Sequence, residues 1–511
     1  MEPRARHTSK RGAMAAAAAG EDRLSGLPDD LLHSILRVLP LKHAASTSAL
    51  SRRWARRWMR SLASSPAIDF TDRDFARGQP PSRAAATVTR CLRLHAEHGA
   101  PLHAFRVALG SVAGAGALGL DVVGWVAAAV ARGARDVEVD LTPPPPQEED
   151  DADHGSAAFL EIPGDLFLAE NSLERLALGG RFGLRAVPAG AAGLAGLRSL
   201  SLSDADVTDE AVRAMVSGCG ALELLSLRRC RRLTSVRVIA GERLRVLEIV
   251  GCLAVRALQV AAPALESFAF HGDIVCSSDP DEEEDAGGVL FGATPALRDA
   301  YLSHLGFGDY DDYRHDFAYS NFLECIAHAN VLTLCSVGLL PRICTRGGRA
   351  ESTRAAAADA LSRRRRRGAS PPVSSSSLFQ SWIASSSLLG GPADAGGAAA
   401  SSPAAGEDEH DIVPNVDIVL DHLTLIKVVN IRGTRCELRL LRFLMNRAPV
   451  LEQLVLVTAE EEGPLGGEEI KAIQMRVPAM RTASPEARVT VCRPGKDGSR
   501  NPAHAKLYHE Q

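Results

Sequence analysis

The sequence has few aromatic residues, few cysteines and no long apolar run, and each shortage excludes a class of protein. Aromatic residues make up 5% of its 511 residues, so a core must be built mainly from aliphatic side chains. The ten cysteines are scattered without a CxxC pair, which argues against a disulfide scaffold or a zinc site. No stretch offers 18 apolar residues without a charge, so we expect no membrane contact. A reducing compartment, the cytoplasm and/or the nucleus, is therefore expected.

The charge is nearly balanced, and motifs for catalysis are absent. The 58 basic and 62 acidic residues give a net charge of -4, which makes nucleic acid an unlikely partner. The sequence lacks a G-x-S-x-G nucleophile motif, a phosphate-binding P-loop and an H-E-x-x-H metal motif. We therefore expect no catalytic residues, no metal site and no cofactor, and we predict that the protein is not an enzyme.

A leucine-rich pattern repeats between residues 100 and 345. Copies of L-x-x-L-x-L are separated by 24, 25, 22 and 21 residues, within the period of leucine-rich repeats. Alternation within each copy indicates a strand, and helix-like pieces such as 208–218 lie between copies. Stacked repeats share one core and predict a curved α/β solenoid, with scattered strands of an ordinary α/β domain as the alternative. The clear copies begin at Leu173, Leu197, Leu222, Leu244 and Leu265, and weaker ones at Leu102, Ala134, Leu297, Ala329, Ile426 and Leu451.

The remaining segments differ in composition. Residues 1–21 are predicted to form a disordered arm, because they are basic and Ala-rich with nothing to bury. Residues 346–411 are rich in Ala, Ser, Gly and Pro, and we predict a long disordered linker before a C-terminal block at 412–493 and a tail at 494–511. Arg363–Arg367 is either a nuclear localisation signal or a solvated charge run. Cys230 and Cys252 occupy the Asn/Cys position of their repeats and are expected to be buried thiols.

Residues 22–62 predict three short helices. Pro28 favours a helix start, Pro40 stops that helix, and Ser51 can cap the third one. Leu31, Leu32, Ile35, Leu36 and Leu39 recur at helical spacing and give the first helix an apolar stripe. So small a unit cannot make a self-sufficient core, and we therefore expect this stripe to be shared with a partner. Five arginines between 52 and 60 bracket Trp54 and Trp58, and a structural role is favoured over a nucleic-acid face.

This segment resembles a known family. The stretches LPDDLL, ILRVLPLK and TSALSRRW, within about Leu24 to Leu62, are similar to the plant F-box, with His43 where an acidic residue is usual. The resemblance implies binding to the Skp-type adaptor, and through it to the cullin, of a Skp–cullin–F-box (SCF) ubiquitin ligase. The candidates that it implies for the adaptor interface and the small core behind it are Leu27, Pro28, Leu31, Leu32, Ile35, Leu36, Leu50 and Trp54.

The C-terminal block resembles the FBD module that ends many plant F-box proteins. Residues 423–457 read LTLIKVVNIRGTRCELRLLRFLMNRAPVLEQLVLV, which gives a strand, a Gly turn, a helix beginning near Glu437 and a Leu-rich strand. The closing segment RVTVC at 488–492 fits that module, whereas the long linker departs from its usual spacing. The expected fold is α/β: a small three-helix F-box, a leucine-rich-repeat solenoid, a long disordered insertion and the C-terminal module.

The resemblance to F-box proteins implies the substrate-recognition subunit of an SCF ligase, and the repeat pattern predicts that an unknown target protein binds on the concave side of the strands. Arg228, Glu248 and His271 are predicted to form a polar row there, about 5 Å from one to the next. Alternatively, Arg228 and Glu248 only neutralise each other. The candidate target-binding residues are Arg175, Ser201, Arg228, Glu248 and His271. The alternative functions are a repeat scaffold without ubiquitin transfer and a nucleic-acid-binding regulator that uses the Arg clusters.

Overall fold

A computed structural model describes most of the predicted globular part of the chain. The predicted arm at 1–21 and linker at 346–411 lie outside the described residues, so their boundaries stay predictions. The described residues are 26–72, 75, 77–110, 118–142, 159–168, 172–188, 191–239, 242–272, 288–292, 294–304, 323, 325–335, 419–433, 435–458, 471, 473–493 and 496–498.

Helices dominate the start of the described chain. Pro28 directly precedes the first helix, and Ser51 Oγ accepts a hydrogen bond from Trp54 N at 3.3 Å, which confirms the predicted cap of the third helix. The second helix ends at Ser46 and passes directly into a 3₁₀ turn at Thr47–Ala49. The α-helices are α1 (Asp29–Val38), α2 (Leu41–Ser46), α3 (Arg52–Ala63), α4 (Pro81–Glu97), α5 (Gly119–Ala131), α6 (Asp209–Gly218) and α7 (Arg435–Arg447).

Every predicted leucine-rich copy forms a strand of one parallel sheet of thirteen strands among the described residues, which confirms the α/β solenoid-like class. The sheet begins before residue 100, at a strand that the pattern analysis left unassigned. In sheet order its strands are β1 (Ala67–Phe70), β2 (Ala104–Ala108), β3 (Asp136–Asp140), β5 (Arg175–Gly179), β7 (Ser199–Ser203), β9 (Leu224–Arg228), β11 (Val246–Val250), β13 (Ser267–Gly272), β15 (Asp299–His304), β16 (Val331–Cys335), β17 (Leu425–Ile431), β18 (Gln453–Thr458) and β19 (Arg488–Cys492).

Two small parallel sheets use the segments between repeats. Helix-like pieces are predicted there, and α6 is one, with Thr208 Oγ1 accepting from Ala211 N at 3.2 Å. The other segments are short and pair as strands instead, and β10 (SVRVI) is also rich in β-branched residues. The first small sheet consists of β4 (Leu160–Glu161), β6 (Phe182–Leu184) and β8 (Asp206–Val207). The second consists of β10 (Ser235–Ile239), β12 (Ala257–Ala261) and β14 (Gly288–Phe291).

The core consists of the repeat leucines, stacked in register. Leu200 of β7 lies opposite Leu225 of β9, which lies opposite Leu247 of β11, and all three are fully buried. Burying each such side chain stabilises the fold by about 1.5–3 kcal/mol relative to exposure. Cys230 and Cys252 are buried as predicted, and their Sγ atoms lie 3.8 and 3.6 Å from the carbonyl oxygens of Leu202 and Leu227.

The C-terminal block continues the same sheet. β17 pairs with β16 residue for residue, although residues 336–424 separate the two strands in sequence. The strand, turn, helix and strand follow the predicted order, with the turn at Gly433. Gly433 has a φ of 77°, and a Cβ there would lie 2.9 Å from Ile473 Cγ1, so a side chain at this turn is excluded.

Candidate protein-binding surfaces

The three N-terminal helices enclose a small core of their own. Leu32 and Leu36 of α1 pack with Ala44 of α2 and Trp54 of α3, and all four side chains are buried. The buried side chains hold the three helices together beneath the exposed surface of the domain. They do not themselves face solvent, and they include the candidates Leu32, Leu36 and Trp54. The candidate adaptor-binding set thus divides into this core and the residues that lie outside it.

The exposed candidates include a row of apolar side chains along α1. Leu31 and Ile35 are 51% and 39% exposed, although both are large aliphatic residues. Val38, which the sequence analysis missed, is 85% exposed and continues the same row, since positions i, i+4 and i+7 share a helix face. We call Leu31, Ile35 and Val38 the α1 ridge. Leu50 and Pro28 are also exposed, and Leu27 is half-buried.

An ion-pair cluster holds α1 against α3. Arg53 donates to Asp29 Oδ1 at 2.5 Å, and Arg57 donates to Asp29 Oδ2. The hydrogen bond from Arg53 lowers the pKa of the Asp29 carboxyl group, so it is charged at neutral pH. Two of the five clustered arginines therefore have the structural role that the sequence favoured.

A polar junction joins this helical block to the sheet. His95 of α4 is fully buried, and its Nε2 lies 2.8 Å from the carbonyl oxygen of Ser65, just after α3. Arg132 after α5 reaches His95 Nδ1 at 2.9 Å and donates to Ala100 O at 2.7 Å. Burial lowers the pKa of His95, and the neighbouring Arg132 charge lowers it further. A neutral imidazole thus ties the end of α3 to α4 and α5.

The strand register contradicts the predicted polar row. This row was expected on the outer face of the main sheet, which is the side opposite the leucine core. Arg228 lies opposite Val250 of β11, which lies opposite His271, so Glu248 is not in their row. Counted from the first leucine of each repeat, Arg228 and His271 hold the seventh position and Glu248 the fifth. The correct register could therefore have been found from the sequence.

The three residues of the predicted row are also too buried to form part of the candidate target surface. His271 is only 2% exposed. Glu248 accepts from Ser226 Oγ at 2.8 Å and from Arg228 at 3.0 Å, and the Arg228 and Glu248 side chains are 17% and 11% exposed. Arg228 and Glu248 thus neutralise each other, as the alternative interpretation of the sequence held, but they do so as a mostly buried pair.

The first strands of the sheet present an open, charged outer face. Arg106 of β2 donates to Asp136 Oδ2 at 2.5 Å, and its guanidinium also lies 3.8 Å from the carboxylates of Asp69 and Glu138. Arg175 of β5 is exposed, with Nε 3.8 Å from Asp136 Oδ1. We call these five residues the charged cluster. Carboxylates outnumber guanidinium groups in it, which favours a partner with basic side chains.

Small side chains lie beside the charged cluster. On β5 and β7 the outward positions hold Ala177, Ser199, Ser201 and Ser203, all half-buried. Arg175 and Ser201, two of the predicted target-binding residues, are thus brought onto one accessible surface, where Arg175 lies opposite Ser199. The other three predicted residues lie further along the sheet.

The described residues contain neither a metal-binding cluster nor a membrane-spanning helix. Within them, no group of three His, Cys, Asp or Glu side chains is arranged to hold a metal ion. None of the described helices is both long enough and apolar enough to cross a membrane.

Comparison with known proteins identifies related sequences. Residues 24–62 match the F-box domain model, and residues 122–298 match the model described as FBD-associated F-box protein At5g56370, LRR repeats. A putative F-box/LRR-repeat protein of Arabidopsis thaliana is 30% identical over 214 residues, which cover 40% of this chain and 37% of the relative.

Two further relatives from Arabidopsis thaliana agree with this match. Another F-box/LRR-repeat protein is 28% identical, over 47% of this chain and 46% of the relative. A putative FBD-associated F-box protein is 31% identical, over 40% of this chain and 46% of the relative. The matched part thus spans less than half the length of each of these relatives. These findings confirm the resemblance drawn from the sequence motifs.

Proposed function

Because the chain carries an F-box followed by leucine-rich repeats of the FBD-associated type, we propose that it is the substrate-recognition subunit of an SCF ubiquitin ligase. The observation that supports this best is the α1 ridge, a row of exposed aliphatic side chains on a small helical domain. Exposed apolar patches of this kind are typical of protein-binding sites. The ridge binds the Skp-type adaptor, and the adaptor links the chain to the cullin.

A double substitution in the ridge tests adaptor binding. Leu31→Lys with Ile35→Lys places two charges in the interface and leaves the buried Leu32 and Leu36 in place. Unpaired charges at the centre of an interface cost several kcal/mol, so we expect the affinity for purified Skp-type adaptor to fall at least about 100-fold. Calorimetric titration measures this, and Leu120→Lys with Ile239→Lys, two exposed apolar positions on the repeats, should bind normally. Unchanged affinity in the ridge variant would refute the assignment.

The mechanism is positional. The His95 junction fixes the F-box to the first repeats, so a target held on the sheet keeps a defined distance from the adaptor. Holding two reactants in proximity lowers the barrier to their reaction without any chemistry by the holder. The chain supplies orientation, and other subunits carry out ubiquitin transfer. A chain with a folded F-box that failed to bind any adaptor would instead be a scaffold.

The target binds the charged cluster and the small residues beside it. A basic segment of the target lies over these strands, where the carboxylates face it and the serines leave room for its backbone. Glu138→Lys with Ser201→Arg should abolish target recovery, because the first change reverses the charge of a carboxylate that faces the basic segment and the second fills the space in the same register row. The assay is parallel recovery of adaptor and ubiquitinated proteins from cells with the proteasome inhibited.

A matched control lies on the second small sheet. Arg237→Glu, at an exposed position of β10, should leave both adaptor and target recovery unchanged. Equal target recovery from the Glu138 and Ser201 variant and from wild type would move the target site elsewhere on the chain. We also propose that the protein acts in the cytoplasm and/or the nucleus, where SCF substrates would be reached.

A further inference from the structure

Three arginines of α3 are exposed and take no part in the ion pairs that hold this helix to α1. Two other arginines of α3 contact Asp29, whereas none of the described residues forms an ion pair with Arg52, Arg56 or Arg60. The helix itself, RRWARRWMRSLA, contains no acidic residue. The positive charge of these three side chains is therefore not neutralised by the described part of the chain.

The exposed arginines lie on the far side of α3 from its buried core. At 3.6 residues per turn, each of the three points about 120–160° away from Trp54, which is 2% exposed. Met59 points about 140° away from Trp54 and is 39% exposed, so it lies among the arginines. We call Arg52, Arg56, Met59 and Arg60 the basic face.

The basic face and the α1 ridge lie on different sides of the helical domain. On α1, Asp29 pairs with α3 and lies about 40° to one side of the buried Leu32 and Leu36. The α1 ridge lies about 80–140° to the other side of the same two leucines. The ridge is thus turned away from α3, and the two surfaces can be occupied at the same time.

The composition of the basic face favours a polypeptide as its partner. Arg and Met are both enriched in protein–protein interfaces, because guanidinium groups bind carboxylates through two parallel hydrogen bonds and the flexible thioether adapts to apolar neighbours. Single-stranded nucleic acids are held by stacking on aromatic rings as well as by charge. On α3, however, Trp54 is buried and Trp58 is half-buried against the core, so the basic face offers no ring for stacking.

We propose that the basic face is a second protein-binding surface, and that its partner is an extended acidic segment of another protein. Arg52, Arg56 and Arg60 follow one another at intervals of four residues, which spaces them by about 6 Å along the helix. Side chains at alternate positions of an extended chain lie about 6.6 Å apart on one side of it, so carboxylates at every second residue match the guanidinium groups. This surface does not depend on the proposed ligase function, because it requires neither the adaptor nor the target.

Binding of a synthetic acidic peptide tests the proposal. The probe is a short fluorescein-labelled peptide of alternating Glu and Ser, and its fluorescence anisotropy is measured during titration with the full-length chain. We expect Arg52→Glu with Arg56→Glu and Arg60→Glu to weaken binding at least about tenfold, because three attractive charges become repulsive. Unchanged peptide affinity in this variant would overturn the proposal.

A matched control makes the same change of net charge on the repeats. Arg213→Glu with Arg231→Glu and Arg237→Glu, all at exposed positions, should leave the affinity for the peptide unchanged. An equal loss of affinity in the two triple variants would overturn the proposal, because it would mean that the peptide responds to net charge alone.

Two further measurements distinguish the acidic partner from other occupants of the basic face. The affinity for purified Skp-type adaptor should be the same in the basic-face variant and in wild type, and a fall would make this face part of the adaptor site. Duplex DNA should bind more weakly than the peptide, and tighter DNA binding that the same variant abolishes would assign the face to nucleic acid.

A milder variant keeps the test valid if circular dichroism shows that the glutamate variant unfolds. Arg52→Gln with Arg56→Gln and Arg60→Gln removes the charges without adding new ones. The affinity for the peptide should again fall, and an unchanged affinity in the folded glutamine variant would overturn the proposal.

Discussion

The buried Arg228–Glu248 pair allows a quantitative test of how far the outer face is closed to water. Glu248 Oε2 accepts from both Ser226 and Arg228, and Arg228 Nε lies 3.2 Å from Ser226 Oγ, so the three side chains form one network. The substitution Glu248→Gln keeps the shape of the side chain and removes its charge. Arg228, which is 17% exposed, then loses the carboxylate that offsets its desolvation.

The expected loss is larger than for a surface pair. Removing one member of a buried pair costs about 3–5 kcal/mol, and the remaining exposure of Arg228 reduces this to about 2–4 kcal/mol. Replacing both members, as Glu248→Leu with Arg228→Met, should cost less than about 1 kcal/mol, because no uncompensated charge remains. The Asp204–Arg229 pair, with side chains 25% and 43% exposed, is a matched control, and Asp204→Asn should cost less than about 1 kcal/mol.

Urea unfolding followed by circular dichroism measures these differences as shifts of the midpoint at constant slope. Adaptor affinity should be unchanged in every variant, since the pair lies on the repeats. The reasoning fails if Glu248→Gln lowers the free energy of unfolding no more than Asp204→Asn does. It also fails if the double variant is as unstable as the single one.

Three further predictions concern the junction, the linker and the F-box core. Because burial lowers the pKa of His95, this histidine takes up a proton in the unfolded chain near pH 6.5, before it does so in the folded chain. The contribution of His95 to the free energy of unfolding is therefore complete above that pH and falls as the pH drops from 7.5 to 5.5. Urea midpoints measured over this range should fall less steeply for His95→Gln, with His98→Gln on the same helix as the control. Deletion of 350–408 should change the free energy of unfolding by about 1 kcal/mol at most, measured in the same way, because loop closure varies with the logarithm of length; a large fall in melting temperature would contradict this. Leu32→Ala should destabilise the F-box by about 2–5 kcal/mol, measured by the hydrogen exchange of its backbone amides, whereas Leu31→Ala should have little effect. Equal amide protection in the two variants would contradict the division of these residues into core and ridge.

The sequence was most informative where packing is periodic. Each leucine-rich copy, including the weak ones at Leu102 and Ala329, became a strand of the main sheet, because alternating apolar residues have no other way to reach the shared core. The third helix cap at Ser51 was also predictable, since a hydroxyl at that position satisfies a free backbone N–H group.

The rest depended on contacts between residues distant in sequence. Leu31 and Leu32 are adjacent and identical, and only the position of α3 decides which one is buried. Similarly, alternation shows that His271 points away from the core, but it cannot show that a second layer covers it. The fold was therefore largely predictable, whereas the accessible part of each binding surface required the packed structure.

The junction between β16 and β17 has a consequence for synthesis of the chain. Earlier strands follow one another at short intervals, but residues 336–424 must be translated before β17 can pair with β16. At about 5–20 residues per second, the ribosome needs roughly 4–18 seconds for this stretch. During that time β16, with the sequence VLTLC, is the unpaired edge of a growing sheet, and unpaired apolar edges are prone to aggregate. Chaperone demand during production of this protein should therefore be concentrated in the interval between these two strands.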